Sequence, residues 1–288
     1  MSAVFICLLS SCRFFMADEP ASNRRTVPAV QKPAETTSPV FEEPNMPESV
    51  GNIGKKNKRP ESSVGRGKKI LPRVAVIIDD MGYHQQVGKR LLALDMDLTF
   101  SFLPGAPFTR QQEKQAWAEG RDVLLHMPMQ PHDPAFNPGP GALYLKFSPR
   151  QIRSRMVAAL ASVPHAIGSN NHMGSRFTED RAAMHAVLTV LKQRGLFFID
   201  SYTTAASTGL NEARRMSIPT ARRNIFLDNV QNEKKICRQL DKLAILAGKK
   251  GWAIGIGHPH QETYEALVDC GEKLRSRVKI VGVHGLVR

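Results

Sequence analysis

Residues 73–84 read RVAVIIDDMGYH, a β-branched apolar run that stops at two adjacent carboxylates, Asp79 and Asp80. Near-continuous apolar residues, without the polar alternation of a half-exposed strand, suit a strand covered on both faces, as in parallel sheets. Runs of this kind recur downstream: LTFSFL at 98–103, DVLLHM at 122–127, HAIG at 165–168, LFFID at 196–200, RRNIFLD at 222–228, WAIGIG at 252–257 and VKIVGV at 278–283. Between them, 85–94, 108–119, 149–163, 179–194, 231–247 and 261–275 read as helices. Ser148 ahead of Pro149 and Thr178 ahead of Glu179-Asp180 are start signals, and Gly195 and Gly248 are stop signals. Strand–helix alternation with short links means parallel βαβ units. Some seven or eight such units in about 215 residues predict an irregular (β/α) barrel of about seven to eight parallel strands, preferred to an open sheet. No G-x-G-x-x-G follows the first strand, which weighs against a dinucleotide fold.

The 288-residue chain holds four cysteines, too few for a disulfide-stapled miniprotein. No stretch reaches the ~20 apolar residues of a membrane-spanning helix. Forty Lys and Arg against 26 Asp and Glu give +14, a balance that suits nucleic acid, anionic lipid or acidic glycan without choosing among them. Residues 70–288 keep 29 basic against 19 acidic residues, a net +10, so the folded part is basic in its own right.

Residues 1–17 carry a short apolar core, AVFICLL, that reads as a signal-like segment, and Leu9-Ser10-Ser11-Cys12 has the shape of a lipoprotein box with Cys12 as the lipidated residue. Either reading predicts export to the periplasm or cell envelope; a ragged end without destination is the plain alternative. No Lys or Arg precedes Ala3, so the expected start lies upstream of Met1. Residues 18–70, rich in Pro, Ser, Glu and Lys, predict a disordered linker, and 71–288 the (β/α) barrel domain.

Polar residues gather where the apolar runs end. The first ends in Asp79-Asp80, the third in His126, the fifth in Asp200; the fourth leads into Asn170-Asn171-His172, the seventh into His258-Pro259-His260. In a parallel barrel all strand carboxyl ends open on one face, so these groups should converge. Singly, each has a plain explanation. Asp79-Asp80 would cap a turn, His126 would be a satisfied core histidine, and His258-Pro259 would be loop chemistry. Met127, Met129 and Met173 read as packing. Together, one carboxylate and two imidazoles are the donor set of a hydrolytic zinc site with an open position for water. A second carboxylate would take the water's proton, and an acid would protonate the leaving amine. Cys237 and Cys270 fall within expected helices, away from this face, and could pair only if those helices are neighbours.

IIDDMGYH, TFSFLPGAPF, LLHMPMQP, GSNNHMGSRFT, FFIDSYT and GIGHPHQETYEAL resemble the divergent polysaccharide deacetylase family, distant relatives of metal-dependent carbohydrate esterases. The resemblance covers residues 72–288 and implies an irregular barrel, export and a divalent metal, usually Zn2+. It implies that Asp79 is the catalytic base, Asp80 a metal ligand, His126 the first metal histidine and His258 the general acid. Asp200 would orient that acid, and Arg176 would steady the base. The esterases place a second metal histidine four residues after the first, where this chain has Gln130. A neutral amide is a poor zinc ligand, so the third ligand is expected to be His172, with His84 and His260 in reserve. The expected activity is metal-dependent N-deacetylation of an amino-sugar polymer, with a polysaccharide or peptidoglycan-like substrate. The alternative is a catalytically inactive glycan-binding or envelope-assembly protein on the same fold. A nucleic-acid binder is suggested by charge alone; with 7% aromatic residues and no interleaved stacking residues, nucleic acid is not expected as a partner.

Overall fold

The computed structural model describes residues 70–288, so the signal-like segment and all but the last residue of the expected linker lie outside the described residues. The strands are β1 (Arg73–Met81), β2 (Thr99–Phe102), β3 (Asp122–Met129), β4 (Gly168–Met173), β5 (Phe197–Asp200), β6 (Thr220–Arg222), β7 (Ile225–Phe226), β8 (Trp252–Gly257) and β9 (Lys279–Ile280). The helices are α1 (Gln85–Leu92), α2 (Thr109–Ala118), α3 (Pro149–Ser162), α4 (Arg181–Gln193), α5 (Gly209–Arg215), α6 (Glu233–Lys250) and α7 (Gln261–Arg275). Eight strands pair in the order β6-β5-β4-β3-β2-β1-β8-β7, all parallel, and β9 adds to β1. The sheet therefore curls into an incomplete barrel with β6 and β7 at its two ends.

Strand β1 is apolar on both faces for a geometric reason. On β1, Val74, Val76 and Ile78 pack outward under the helices, while Ala75 and Ile77 face the barrel interior with Leu124, Ile199, Ile254 and Ile256. Side chains alternate faces along a strand, so the next inward positions after these are Asp79, His126 and His258. The interior is thus oily toward the strand starts and polar at their carboxyl ends.

Several expected boundaries move. The strand expected at 165–168 begins instead at Gly168 and runs through the polar GSNNHM, because β3 pairs with it from Leu124–Gly168 to Met129–Met173. A Cβ at Gly168 would stand 2.5 Å from the Phe197 ring, so this close approach of β4 to β5 requires glycine. Of the expected last strand, two residues pair with β1; Val283–Leu286 then form a 3-10 helix whose Val283 and Leu286 plug the interior. Asp122, at the start of β3, clasps this plug through the backbone N–H and ring Nδ1 of His284.

Ser148 and Gln151 close a reciprocal cap on α3, with Pro149 in the first turn, as the start signal predicts. Asp180, not Thr178, caps α4. Helix α6 passes through Gly248 and stops at Gly251, whose φ of 84° is left-handed. The short α5 lacks an apolar period and was not legible beforehand. Met127, Met129 and Met173 are buried, consistent with packing.

Helices α6 and α7 are neighbours, and Cys237 and Cys270 form a disulfide with Cα atoms 5.9 Å apart. A crosslink spanning 33 residues removes unfolded-state entropy worth about 3–4 kcal/mol. Cys237→Ser should therefore lower unfolding free energy by about that amount in a guanidinium titration. Dithiothreitol should reproduce the loss in the natural chain and leave the variant unmoved.

Candidate metal centre and active site

The mouth of the barrel is assembled from the ends of β1, β3, β4, β7 and β8. Asp79 reaches it by strand parity alone. Asp80 should point the other way, and a bulge reverses it. Pairing of β1 with β2 slips between Ile78 and Met81, and Asp80 adopts a φ of 54°. A non-glycine residue in that region costs of order 1–3 kcal/mol unless its surroundings enforce it, and such sites cluster at functional positions. The bulge turns both carboxylates of one strand end inward.

Asp80, His126 and His172 are buried and offer ligand atoms that all lie within 4.8 Å of one another. His172 Nδ1 is 2.9 Å and His126 Nε2 3.2 Å from Asp80 Oδ1. Neither contact has hydrogen-bond geometry, and both Asp80 oxygens are buried without accepting a hydrogen bond. A buried carboxylate is normally hydrogen-bonded or bound to a metal. Two imidazole nitrogens and one carboxylate converging on a point, with no proton in line between them, fit a divalent cation of the zinc type. Burial alone would raise the Asp80 pKa, but the imidazoles of His172 and His126 outweigh it and hold the carboxyl well below the usual range.

Asn170 organises the pieces. Its Oδ1 lies 2.9 Å from His126 Nδ1 and accepts the Ser101 hydroxyl at 2.6 Å. Its Nδ2 donates to both oxygens of Asp79 (2.8 and 3.0 Å) and to Ser201 Oγ. A proton on His126 Nδ1, donated to Asn170, leaves the Nε2 lone pair facing Asp80, the familiar way an outer partner sets a ligand's tautomer. Burial pushes the Asp79 carboxyl up, against the lowering charges of His126 and His258. Burial would lower His126, but the Asp79 and Asp80 carboxylates raise it.

On the opposite wall, His258 Nδ1 lies 2.8 Å from Asp228 Oδ1, and Asp228 Oδ2 accepts the Thr263 hydroxyl (2.7 Å) and the His258 backbone N–H. Burial of the ring disfavours its charge, yet Asp228 prevails and raises the His258 pKa to about 9. Asp228 itself, despite burial, is held below its ordinary value by His258.

The structure places two of the expected partners away from the mouth. The carboxylate on His258 is Asp228, not Asp200. On β5, Phe197 and Ile199 face inward, so Asp200 faces out, where it binds Ser207 Oγ (2.8 Å) and the N–H of Leu210 in α5. Burial lowers the Arg223 pKa to about 10, against the charges of Asp200 and, after it, Asp79. Arg223 is buried, donates to the carbonyls of Ser201 (2.7 Å) and Tyr202 (2.8 Å), and its guanidinium covers the Phe226 ring. Arg176 is exposed. Gln130 spends its side chain on the loop after β3, where Oε1 accepts the Leu145 N–H. Among the reserves, His260 sits beside His258 with ring centroids 6.0 Å apart, and His84 lies at the start of α1. Asp228 and Arg223 were missed although both lie in the run RRNIFLD; its ending in aspartate matched the pattern of the other strands.

The chain belongs to the divergent polysaccharide deacetylase family, whose model matches residues 76–287. It is 36% identical over 216 residues to a protein of Haemophilus influenzae Rd, covering 75% of this chain and 77% of that one. YibQ of Escherichia coli K12 is 31% identical over 217 residues, covering 75% and 67%. A crystal structure of a protein from Agrobacterium tumefaciens C58 superposes with a TM-score of 0.73 at 28% identity, covering 80% of this chain and 92% of that one.

Proposed function

We propose that the chain is an exported, envelope-associated, metal-dependent hydrolase that removes acetyl groups from an amino-sugar polymer of the cell envelope. The observation that carries this reading is the pair of buried Asp80 oxygens, unbonded yet within reach of two imidazoles. Asp80, His126 and His172 would hold a divalent cation, zinc foremost, which when bound lowers the pKa of water and stabilises the oxyanion of the attacked amide. Asp79 serves as base: burial raises its carboxyl, and Asn170 aims it into the mouth, so it can take a proton from attacking water. Arg223, anchored by two backbone carbonyls, supplies the positive charge that steadies Asp79. His258 is protonated below pH about 9 and gives its proton to the leaving amine, with Asp228 holding the ring.

The Cys237–Cys270 disulfide favours an oxidising compartment, in keeping with export. Among the described residues no helix is long and apolar enough to cross a membrane. The net +10 of residues 70–288 suits an anionic polymer such as peptidoglycan. One observation favours the second reading, an inactive glycan binder: the amide of Gln130 stands where a metal histidine is expected and serves the loop instead.

The test is acetate release from N-acetylated oligosaccharides, with zinc, after chelation and after zinc is restored. Release that chelation abolishes and zinc restores is the expected result. Glycan binding that survives both chelation and Asp79→Asn, without acetate, would replace this reading with the second.

A further inference from the structure

Beside the centre already described lies a second group of metal donors. Asp228, His258 and His260 offer ligand atoms within 4.8 Å of one another, the first two buried and the third half-buried. We infer that Asp228, His258 and His260 form a second, weaker divalent-cation site that switches the hydrolase off when zinc is in excess. The inference rests on the role given above to His258.

The geometry supports occupation in three ways. Asp228 Oδ2 is engaged by Thr263 and by the His258 backbone, which fixes the carboxylate and presents Oδ1 to the imidazoles. The side-chain amide of Gln231 lies 3.1 Å from His260 Nε2, and the His260 ring centroid stands 6.0 Å from that of His258. One carboxylate with two imidazoles is a donor set of the same kind as in the first centre.

Occupation has a defined cost. The cation must displace the proton between His258 Nδ1 and Asp228 Oδ1, now 2.8 Å apart. One zinc ion enters and one proton leaves to solvent, with no change of oxidation state. That exchange makes the site weaker than the first, where Asp80 holds no shared proton in line. It also ties up the ring that would deliver a proton to the leaving amine, so activity falls while the catalytic cation stays in place.

The full chain, equilibrated at limiting and at excess zinc and then desalted, should carry one ion and then two by elemental analysis. His260→Ala should remain at one ion under excess zinc, with His260→Gln as the second variant should alanine fail to fold. His126→Ala should still gain an ion from excess zinc. Acetate release by the natural chain should fall by about 10²-fold between the two conditions, the contribution of a general acid, and His260→Ala should escape that loss. One ion at every zinc level, or a second ion that survives both His260 substitutions, overturns the second site and leaves the first centre standing. No ion under any condition overturns both.

Discussion

Replacing His126 by alanine is expected to strip the divalent cation from the first centre and to lower acetate release by about 10³-fold or more. His126 Nε2 is one of the two imidazole donors within 3.2 Å of Asp80 Oδ1. Without it the centre keeps one carboxylate and one imidazole, too few for a catalytic zinc site. A cation that stabilises an oxyanion contributes several kcal/mol to the transition state, and about 4 kcal/mol already corresponds to 10³-fold. The substitution also deprives Asn170 of a partner. A stability loss of about 1–3 kcal/mol should accompany it. His126→Gln retains an amide for Asn170 and separates the two effects, since it should melt near the natural chain yet bind zinc poorly. Elemental analysis at limiting zinc decides the matter: full metal content in both variants would mean that His126 is no ligand.

The second large effect concerns pH. Asp228→Asn is expected to lower kcat by about 10²-fold or more near pH 8, and to move the alkaline limb of the pH profile down from about 9 toward the ordinary histidine value near 6.5. The acid must carry its proton to work. Asp228 raises the His258 pKa, so under the proposed mechanism the acid stays protonated until pH rises through about 9. An amide in place of the carboxylate withdraws the charge, burial then dominates, and the ring loses its proton at lower pH. The same sign governs stability. A pKa raised on folding adds stability that is fully present below about 6.5 and is lost as pH rises through about 9. Urea titrations at pH 6 and pH 9.5 should show that difference in the natural chain and a smaller one in Asp228→Asn. An alkaline limb that does not move in the variant would remove His258 from the role of acid.

Much of the mouth was legible because parallel strands deliver their carboxyl ends to one face. Asp79, His126 and His258 terminate apolar runs, and each lies at an inward position. Asp200 terminates one too, and the sequence offers no way to know that it faces outward. A strand apolar on both faces, LFFID, hides its parity: Phe197 and Ile199 could as well have packed under the helices as inside the barrel. Asp228 shows the converse. It follows Phe226, which faces the interior, and β7 pairs directly with β8, so its carboxylate arrives beside His258. Neither fact is local to residues 222–228. His172 was expected from a loop and stands on a strand, since the polar GSNNHM carries no apolar pattern, and its extended pairing with β3 becomes favourable only when Asp79, Ser101 and Ser201 satisfy Asn170.

From the order of residues alone came the barrel of alternating strands and helices, the helix start at Ser148-Pro149, the family, and the gathering of acids and imidazoles at the strand ends. These follow from short-range rules: apolar periodicity, cap chemistry, and the single direction of parallel strands. The tertiary structure alone decided which carboxylate holds His258, that a bulge brings Asp80 inward, and that Cys237 meets Cys270. Each of those depends on strand order, on strand parity, or on the packing of two helices. Such choices rest on contacts between segments far apart in the chain, whose energies no local pattern encodes.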